Sequence, residues 1–200
     1  MKGTALRTLA TLVLALASCA GLSCGGGGSS SQATPACDAK CRDAVALLGL
    51  RDAIKLVYNL TLAAQPVGDQ DASLPRGCPL GGSASVSGQA TSNGVQGATE
   101  VDLVYVFDHC AFSSVDTDPT QVFSITLTGT ITEVGTIAVQ PSTTTALTFE
   151  SAAMSIGGTV YSPPIAYDAN GDAGPCAIKL GQSGNAVSGT LCGRSAGVSL

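Results

Sequence analysis

Tryptophan is absent from this 200-residue chain, and aromatic residues make up only 4% of it. Charged residues are also scarce, at 12%, with 9 basic residues against 14 acidic ones. A nucleic-acid-binding surface needs basic side chains that neutralise phosphates and aromatic rings on which bases stack. The composition therefore excludes nucleic acid from the expected partners.

Histidine occurs once, at position 109. The segment Gly193–Gly197 (GRSAG) matches the nucleophile elbow of hydrolases, but that mechanism requires a histidine later in the chain, and His109 comes before Ser195. A lone histidine in the sequence Asp108-His109-Cys110 is usually a surface residue. We therefore expect no catalytic residues, and the protein is predicted not to be an enzyme.

Metal motifs are equally incomplete. The segment Asp168–Asp172 (DANGD) resembles the start of a calcium loop, but Ala173 and Lys179 occupy the positions where an EF-hand requires Gly and Glu. An Asn-Gly turn explains the same residues. We expect no metal site and no cofactor.

The N-terminus has the pattern of an export signal. Lys2 and Arg7 flank an uncharged run, Thr8–Ala17, of about ten residues, the length of a signal-peptide core. A bilayer-spanning helix needs about 20 apolar residues, so this segment is too short to be a transmembrane anchor.

The residues that follow resemble the lipobox of bacterial lipoproteins. Leu16-Ala17-Ser18-Cys19 has an aliphatic residue, two small residues and then cysteine. The resemblance implies that the Cys19 thiol receives a diacylglyceryl group and becomes the mature N-terminus, with residues 1–18 as the signal peptide. A weaker match, Gly21-Leu22-Ser23-Cys24, would make the signal peptide 1–23.

The number of cysteines bears on this choice. If Cys19 is lipidated, seven cysteines remain and one has no partner, whereas lipidation of Cys24 leaves an even set of six. The local motif favours Cys19, while parity and the adjoining glycine run favour Cys24. We take Cys19 as the predicted site and keep Cys24 as the alternative.

The resemblance also implies a location. Two or more acyl chains suffice for stable membrane anchoring. Residues 19–33 then form the lipid anchor and a flexible Gly/Ser tether. We expect a lipid-anchored protein of the cell envelope at the outer membrane, with the periplasmic or surface face left open.

Residues 34–200 are predicted to form a single domain that begins with a helix over 35–64. Thr34 and Pro35 suit the N-cap and first helical position, with Asp38 in the first turn. Gly49 inside the pattern indicates a kink or close packing. An apolar stripe recurs at helical spacing, at Ala46, Leu50, Ala53, Val57, Leu60 and Ala64.

After residue 82 the hydrophobic period changes to two, which is typical of strands. Val101, Leu103, Tyr105 and Phe107 fall on one predicted face, as do Phe123, Ile125, Leu127 and Ile131 on the next strand. The predicted strands are Ser83–Ser92, Ala98–Phe107, Val122–Thr132, Thr136–Val139, Thr143–Ser151, Met154–Tyr161, Cys176–Leu180 and Ala186–Cys192.

A short repeat, aliphatic-x-Gly-polar, occurs in four of these strands and ends at Gly88-Gln, Gly129-Thr, Gly158-Thr and Gly189-Thr. Glycine inside a strand permits a bend or the close approach of another backbone. We therefore predict a mainly β fold: a curved antiparallel sheet, half-barrel or barrel-like, with one N-terminal helix packed on it.

Export implies an oxidising compartment, so the remaining cysteines are read as disulfides. Cys176 and Cys192 flank a predicted hairpin and are expected to pair. A bridge within one helical turn would be strained, so we expect Cys37 and Cys41 to bind different partners, with Cys78 and Cys110 as candidates.

Two functions follow from these features. The first is a non-enzymatic structural or protein-interaction role for an envelope lipoprotein that contacts the membrane through its lipid. The alternative is a carrier or binder of a lipid or other apolar ligand, since a curved sheet under a helix suits an apolar cavity.

Overall fold

The computed structural model of the chain describes residues 36–61, 76–138 and 144–200. In these ranges one helix, α1, is followed by nine strands and two single turns of 3-10 helix, Pro119–Gln121 and Gly171–Ala173. The bounds are α1 Ala39–Thr61, β1 Arg76–Gly77, β2 Gly81–Asn93, β3 Ala98–Ser114, β4 Phe123–Ala138, β5 Ala146–Val160, β6 Ile165–Asp168, β7 Cys176–Ser183, β8 Ala186–Leu191 and β9 Arg194–Ser199.

Several predictions concern residues outside these described ranges. They include the signal peptide, the two lipidation candidates Cys19 and Cys24, the tether to residue 33, and the proposed helix start at Thr34-Pro35. The predicted helical residues 62–64 also lie outside. These remain predictions.

The strands form one antiparallel sheet in the order β1-β2-β3-β4-β5-β7-β8-β9, and β6 pairs with the far end of β5 beside β7. Nearly every strand therefore pairs with its neighbour in the chain. Among the described residues the sheet does not close, because β1 and β9 have only one neighbour each. The predicted fold class, mainly β with one packed helix, is confirmed.

Alternation predicted the faces of the long strands correctly. The apolar sets of β3 and β4 are all buried, and the intervening residues of β3 are half-buried or exposed. Strand lengths were less well predicted, because the sequence suggested a break in each of two strands that are continuous. Strand β4 continues through residues 133–135, and β5 runs through a bulge between Ser151 and Met154. The predictions also missed β6, β9 and the two-residue β1, which are short or rich in Ser and Gly.

Helix α1 begins later than predicted because Asp38 is its N-cap. The Cys41 backbone N–H donates to Oδ1 of Asp38 at 2.8 Å. This bond satisfies one of the backbone donors that a helix leaves free in its first turn. Ala46, Leu50, Ala53 and Val57 of the predicted stripe are buried, but Leu60 is 47% exposed.

The sheet curves around α1. Gly49 faces β4, where a Cβ would collide with the side chain of Ile125, so this glycine marks close packing. Beside it, Leu50 lines a small gap with Leu180 of β7 and Val187 of β8. In a flat sheet β4 and β8 would be about 14 Å apart. A helix about 10–12 Å wide contacts both only if the sheet bends around it.

The four repeat glycines share one backbone conformation. Gly88, Gly129, Gly158 and Gly189 have φ of 122°, 131°, 136° and 154°, values that side chains of L-residues rarely adopt. A Cβ at Gly158 would also meet the carbonyl oxygen of Ser124 on β4. The repeat therefore marks positions where neighbouring backbones approach closely, as predicted.

Six cysteines form three disulfides, Cys37–Cys41, Cys78–Cys110 and Cys176–Cys192. The pairing of Cys176 with Cys192 across the β7–β8 hairpin confirms the prediction. The expectation that Cys37 and Cys41 bind different partners is wrong. Cys37 precedes the helix and its N-cap, so the backbone between the two residues is not a regular helical turn, and their Cα atoms are 5.2 Å apart.

Candidate functional site

A carboxylate stands on the apolar face of the sheet. Glu133 of β4 is 4% exposed and continues the buried series that runs through Leu127 and Ile131. Its direct neighbours across the sheet are Leu103 of β3 and Phe149 of β5, both buried. A charged residue in such surroundings is rare unless it has a partner.

The partner that the structure gives it is a tyrosine. The hydroxyl of Tyr105, which is fully buried in β3, donates to Oε2 of Glu133 at 2.7 Å. Burial raises the pKa of the Glu133 carboxyl, and the hydrogen bond from Tyr105 offsets part of this effect. Burial also raises the pKa of Tyr105 and Tyr58, and the nearby charge of Glu133 raises both further.

Glu133 has no cationic partner within the described ranges, where no Lys, Arg or His nitrogen lies within 4.0 Å of its carboxylate. Oε1 has no hydrogen-bond partner among these residues either. A buried carboxylate that lacks a cation is energetically unfavourable. The position is therefore one at which a bound molecule would gain affinity.

Glu133 borders a cleft of about 200 Å³ between the second half of α1 and the sheet. Apolar walls come from Ile54 of α1, Ile137 of β4, and Leu147 and Phe149 of β5. The polar lining residues are Arg51, Lys55, Tyr58, Asn59, Glu133, Thr145 and Gln182.

The two cations of this cleft come from α1. Lys55 is exposed and Arg51 is half-buried, with its Nη1 3.7 Å from Oδ1 of Asp52. They are four residues apart and therefore lie on the same side of the helix. The cleft thus combines an uncompensated acid deep inside with basic groups toward solvent.

A second cleft of about 300 Å³ lies near the start of α1. It contains Asp43, which is 4% exposed and accepts hydrogen bonds from Arg194 and from the Tyr167 hydroxyl. Burial and the hydrogen bond to Asp43 raise the pKa of Tyr167. Asp43 already has a cationic partner in Arg194. A ligand would therefore gain less affinity from this cleft than from the one at Glu133.

The motifs singled out in the sequence have ordinary structural roles. Ser195 lies in strand β9, not in a strand–turn–helix elbow. Asp168 ends β6 and accepts the backbone N–H of Asn170 at 3.0 Å. Asp108 and His109 form an exposed pair, 2.7 Å apart, at a bulge in β3.

Sequence reasoning missed both Glu133 and Asp43. Extending the alternation of β4 two places beyond Ile131 would have placed Glu133 on the buried face. Asp43 gave a comparable signal, because it lies three residues before the apolar position Ala46 on the helical stripe.

The described residues offer no metal site and no membrane-spanning helix. Within residues 36–61, 76–138 and 144–200, no group of three or more His, Cys, Asp or Glu is arranged to hold a metal ion. In the same ranges, α1 does not have the length and apolar character needed to cross a membrane. Comparisons with protein-family models, curated proteins and solved structures found no match for this chain.

Proposed function

We propose that this protein is an exported bacterial lipoprotein of the cell envelope, anchored through Cys19, whose domain binds a small apolar ligand without enzymatic chemistry. The observation that carries the binding role is the cleft at Glu133, which has apolar walls and an acid without a cationic partner among the described residues. Of the two functions expected from the sequence, this cleft favours the ligand binder over the purely structural role.

Two features support export and anchoring. The lipobox-like sequence ends at Cys19, with Cys24 as the alternative. The six other cysteines pair among themselves in three disulfides, as is usual for proteins of oxidising compartments. This pairing leaves Cys19 and Cys24 as the two cysteines available for lipidation.

The anchor is tested by growing a bacterial host with labelled palmitate and isolating the wild type, Cys19→Ala and Cys24→Ala. Label is expected in the wild type and in Cys24→Ala, and not in Cys19→Ala. The reverse pattern would move the anchor to Cys24. A wild type without label would overturn lipid anchoring.

Ligand binding is tested by native mass spectrometry of mature residues 19–200, exported behind an unlipidated signal peptide with Cys19→Ala and Cys24→Ala. A co-purifying small molecule that is absent from a cleft-filling Leu147→Trp variant would support the binding role. Bare protein that also fails to bind added apolar compounds would favour the structural or protein-interaction role, which cross-linking in whole cells would then address.

A further inference from the structure

The ligand chemistry of the cleft is set by Glu133. Only one of its carboxylate oxygens has a partner among the described residues, the Tyr105 hydroxyl, which is itself fully buried and lies on the neighbouring strand. The second oxygen is free to accept a hydrogen bond. A donor that also brings a positive charge compensates the buried acid best, because charge-assisted hydrogen bonds are about twice as strong as neutral ones.

The walls specify the rest of the molecule. Ile54, Ile137, Leu147 and Phe149 offer an apolar surface with no charged group. A volume of about 200 Å³ is smaller than the roughly 300–1,000 Å³ of pockets that enclose a drug-sized ligand. The cleft therefore suits a short hydrocarbon chain or small ring, or one end of a longer molecule.

We propose that the cleft binds a small apolar monoamine, with its ammonium group against Glu133 and its hydrocarbon part between α1 and strands β4 and β5. This inference rests on the proposed ligand-binding function and names the chemical class of the ligand.

The basic residues of the cleft add selectivity. Arg51 and Lys55 lie on the helix side, and of the acidic residues that the structure describes only Glu133 lines the cleft. A monoamine, whose far end is apolar, places no charge near Arg51 and Lys55, so both side chains stay hydrated when it binds. A diamine brings its second charge toward them and is disfavoured, which is discrimination through repulsion.

The test uses four probes of equal chain length: hexylamine, hexanol, hexanoate and hexamethylenediamine. Each is titrated at pH 7.5 into the unlipidated mature protein described above, by calorimetry and by NMR of backbone amides. At this pH an alkylammonium group is charged, as lysine is.

Two variants make the test specific. Glu133→Gln removes the charge but keeps a carbonyl oxygen for the Tyr105 hydroxyl. Glu150→Gln removes the same charge from β5, where Glu150 is exposed and pairs with Lys179 on a neighbouring strand. The amide spectra show whether each variant retains the fold before any binding is compared.

We expect hexylamine to bind the wild type and Glu150→Gln equally and Glu133→Gln at least about tenfold more weakly. Hexanol, hexanoate and the diamine are expected to bind the wild type more weakly than hexylamine. In Lys55→Gln the diamine is expected to recover part of its deficit, while hexylamine changes little.

Three results would overturn the amine assignment. Equal affinities for hexanol and hexylamine would show a neutral apolar cleft, which leaves the proposed binding function standing. Hexanoate as the best ligand, with affinity lost in Lys55→Gln, would show an anion site on the helix side. Absence of binding by all four probes would overturn the assignment outright, and native mass spectrometry would then decide separately on the binding role.

Discussion

Arg194 donates two hydrogen bonds to the carboxylate of Asp43, from Nε to Oδ2 at 3.1 Å and from Nη2 to Oδ1 at 2.9 Å. The two residues are 151 positions apart in the chain. Asp43 belongs to the second turn of α1, and Arg194 begins β9 at one edge of the sheet. The Tyr167 hydroxyl of β6 donates to the same Asp43 Oδ1 at 2.9 Å, so three elements meet at one buried carboxylate.

Arg194→Met is expected to lower the free energy of unfolding by about 2 kcal/mol, because Asp43 would keep its burial and lose its cation. This figure lies below the usual range for a fully buried pair, since the Arg194 side chain is 45% exposed. Urea denaturation measures the change. Lys179→Met, which breaks an exposed pair with Glu150, serves as the control and should cost less than about 1 kcal/mol. Equal effects would contradict a special role for the Asp43 pair.

Glu133→Gln is expected to stabilise the protein relative to the wild type increasingly as pH rises, by about 1 kcal/mol. The folded state raises the pKa of Glu133, so at pH values between the unfolded and the folded pKa its carboxyl retains a proton that the unfolded chain has already released. The wild type is therefore favoured at low pH and loses this stability as pH rises from the unfolded pKa through the raised folded one. Glutamine carries no such penalty and keeps an acceptor for Tyr105.

Urea denaturation between pH 4 and pH 9 measures this effect as the difference between the variant and the wild type, with Glu150→Gln as the exposed control. A difference that does not grow with pH would mean that the Glu133 carboxyl titrates normally in the folded protein.

Gly158→Ala is expected to destabilise the protein by about 2–3 kcal/mol, or to prevent folding. A residue with a Cβ is strained at a φ of 136°, and that Cβ would also collide with the Ser124 carbonyl. Gly157→Ala, one residue earlier, is a matched control, because its Cβ would lie 3.8 Å from the nearest atom, the backbone carbonyl oxygen of Tyr167. Thermal unfolding compares the two, and equal losses would argue against close backbone approach at Gly158.

Removing a disulfide is expected to lower the free energy of unfolding more when the disulfide closes a longer loop. Replacing Cys78 and Cys110 by alanine opens a loop of 32 residues and should cost about 3–4 kcal/mol in the chain-entropy model. Replacing Cys37 and Cys41 by alanine removes a cross-link between residues only 4 positions apart and should lower the free energy of unfolding by about 2 kcal/mol. Peptide mapping under non-reducing conditions checks the pairing itself, and a Cys37–Cys78 or Cys41–Cys110 peptide would contradict the structure.

Patterns within single elements predicted the architecture, because the spacing of apolar residues over a few positions determines which face of a helix or strand is buried. Alternation identified the buried faces of β3 and β4, and the helical stripe identified most of the buried side of α1. The glycine repeat located four positions of unusual backbone conformation. Each of these signals depends on spacing within one element.

The site and one disulfide required information that spacing does not contain. Glu133 lies in the gap between the predicted strands Val122–Thr132 and Thr136–Val139, and its hydrogen bond with Tyr105 appears only when the register of β3 against β4 is known. The predicted helix, 35–64, includes Cys37, whereas α1 begins after this residue. A one- or two-residue difference at the end of an element was enough to reverse the predicted pairing.

The pairing of Asp43 with Arg194 has a consequence for the order in which the domain is completed. During synthesis a chain emerges from its N-terminus, so α1 is available long before β9. Most of the sheet can assemble hairpin by hairpin in that time, since neighbouring strands are mostly adjacent in sequence. Asp43 in α1 nevertheless gains its cationic partner, Arg194, only when β9 is in place. Stable docking of α1 therefore coincides with addition of the last strand, β9.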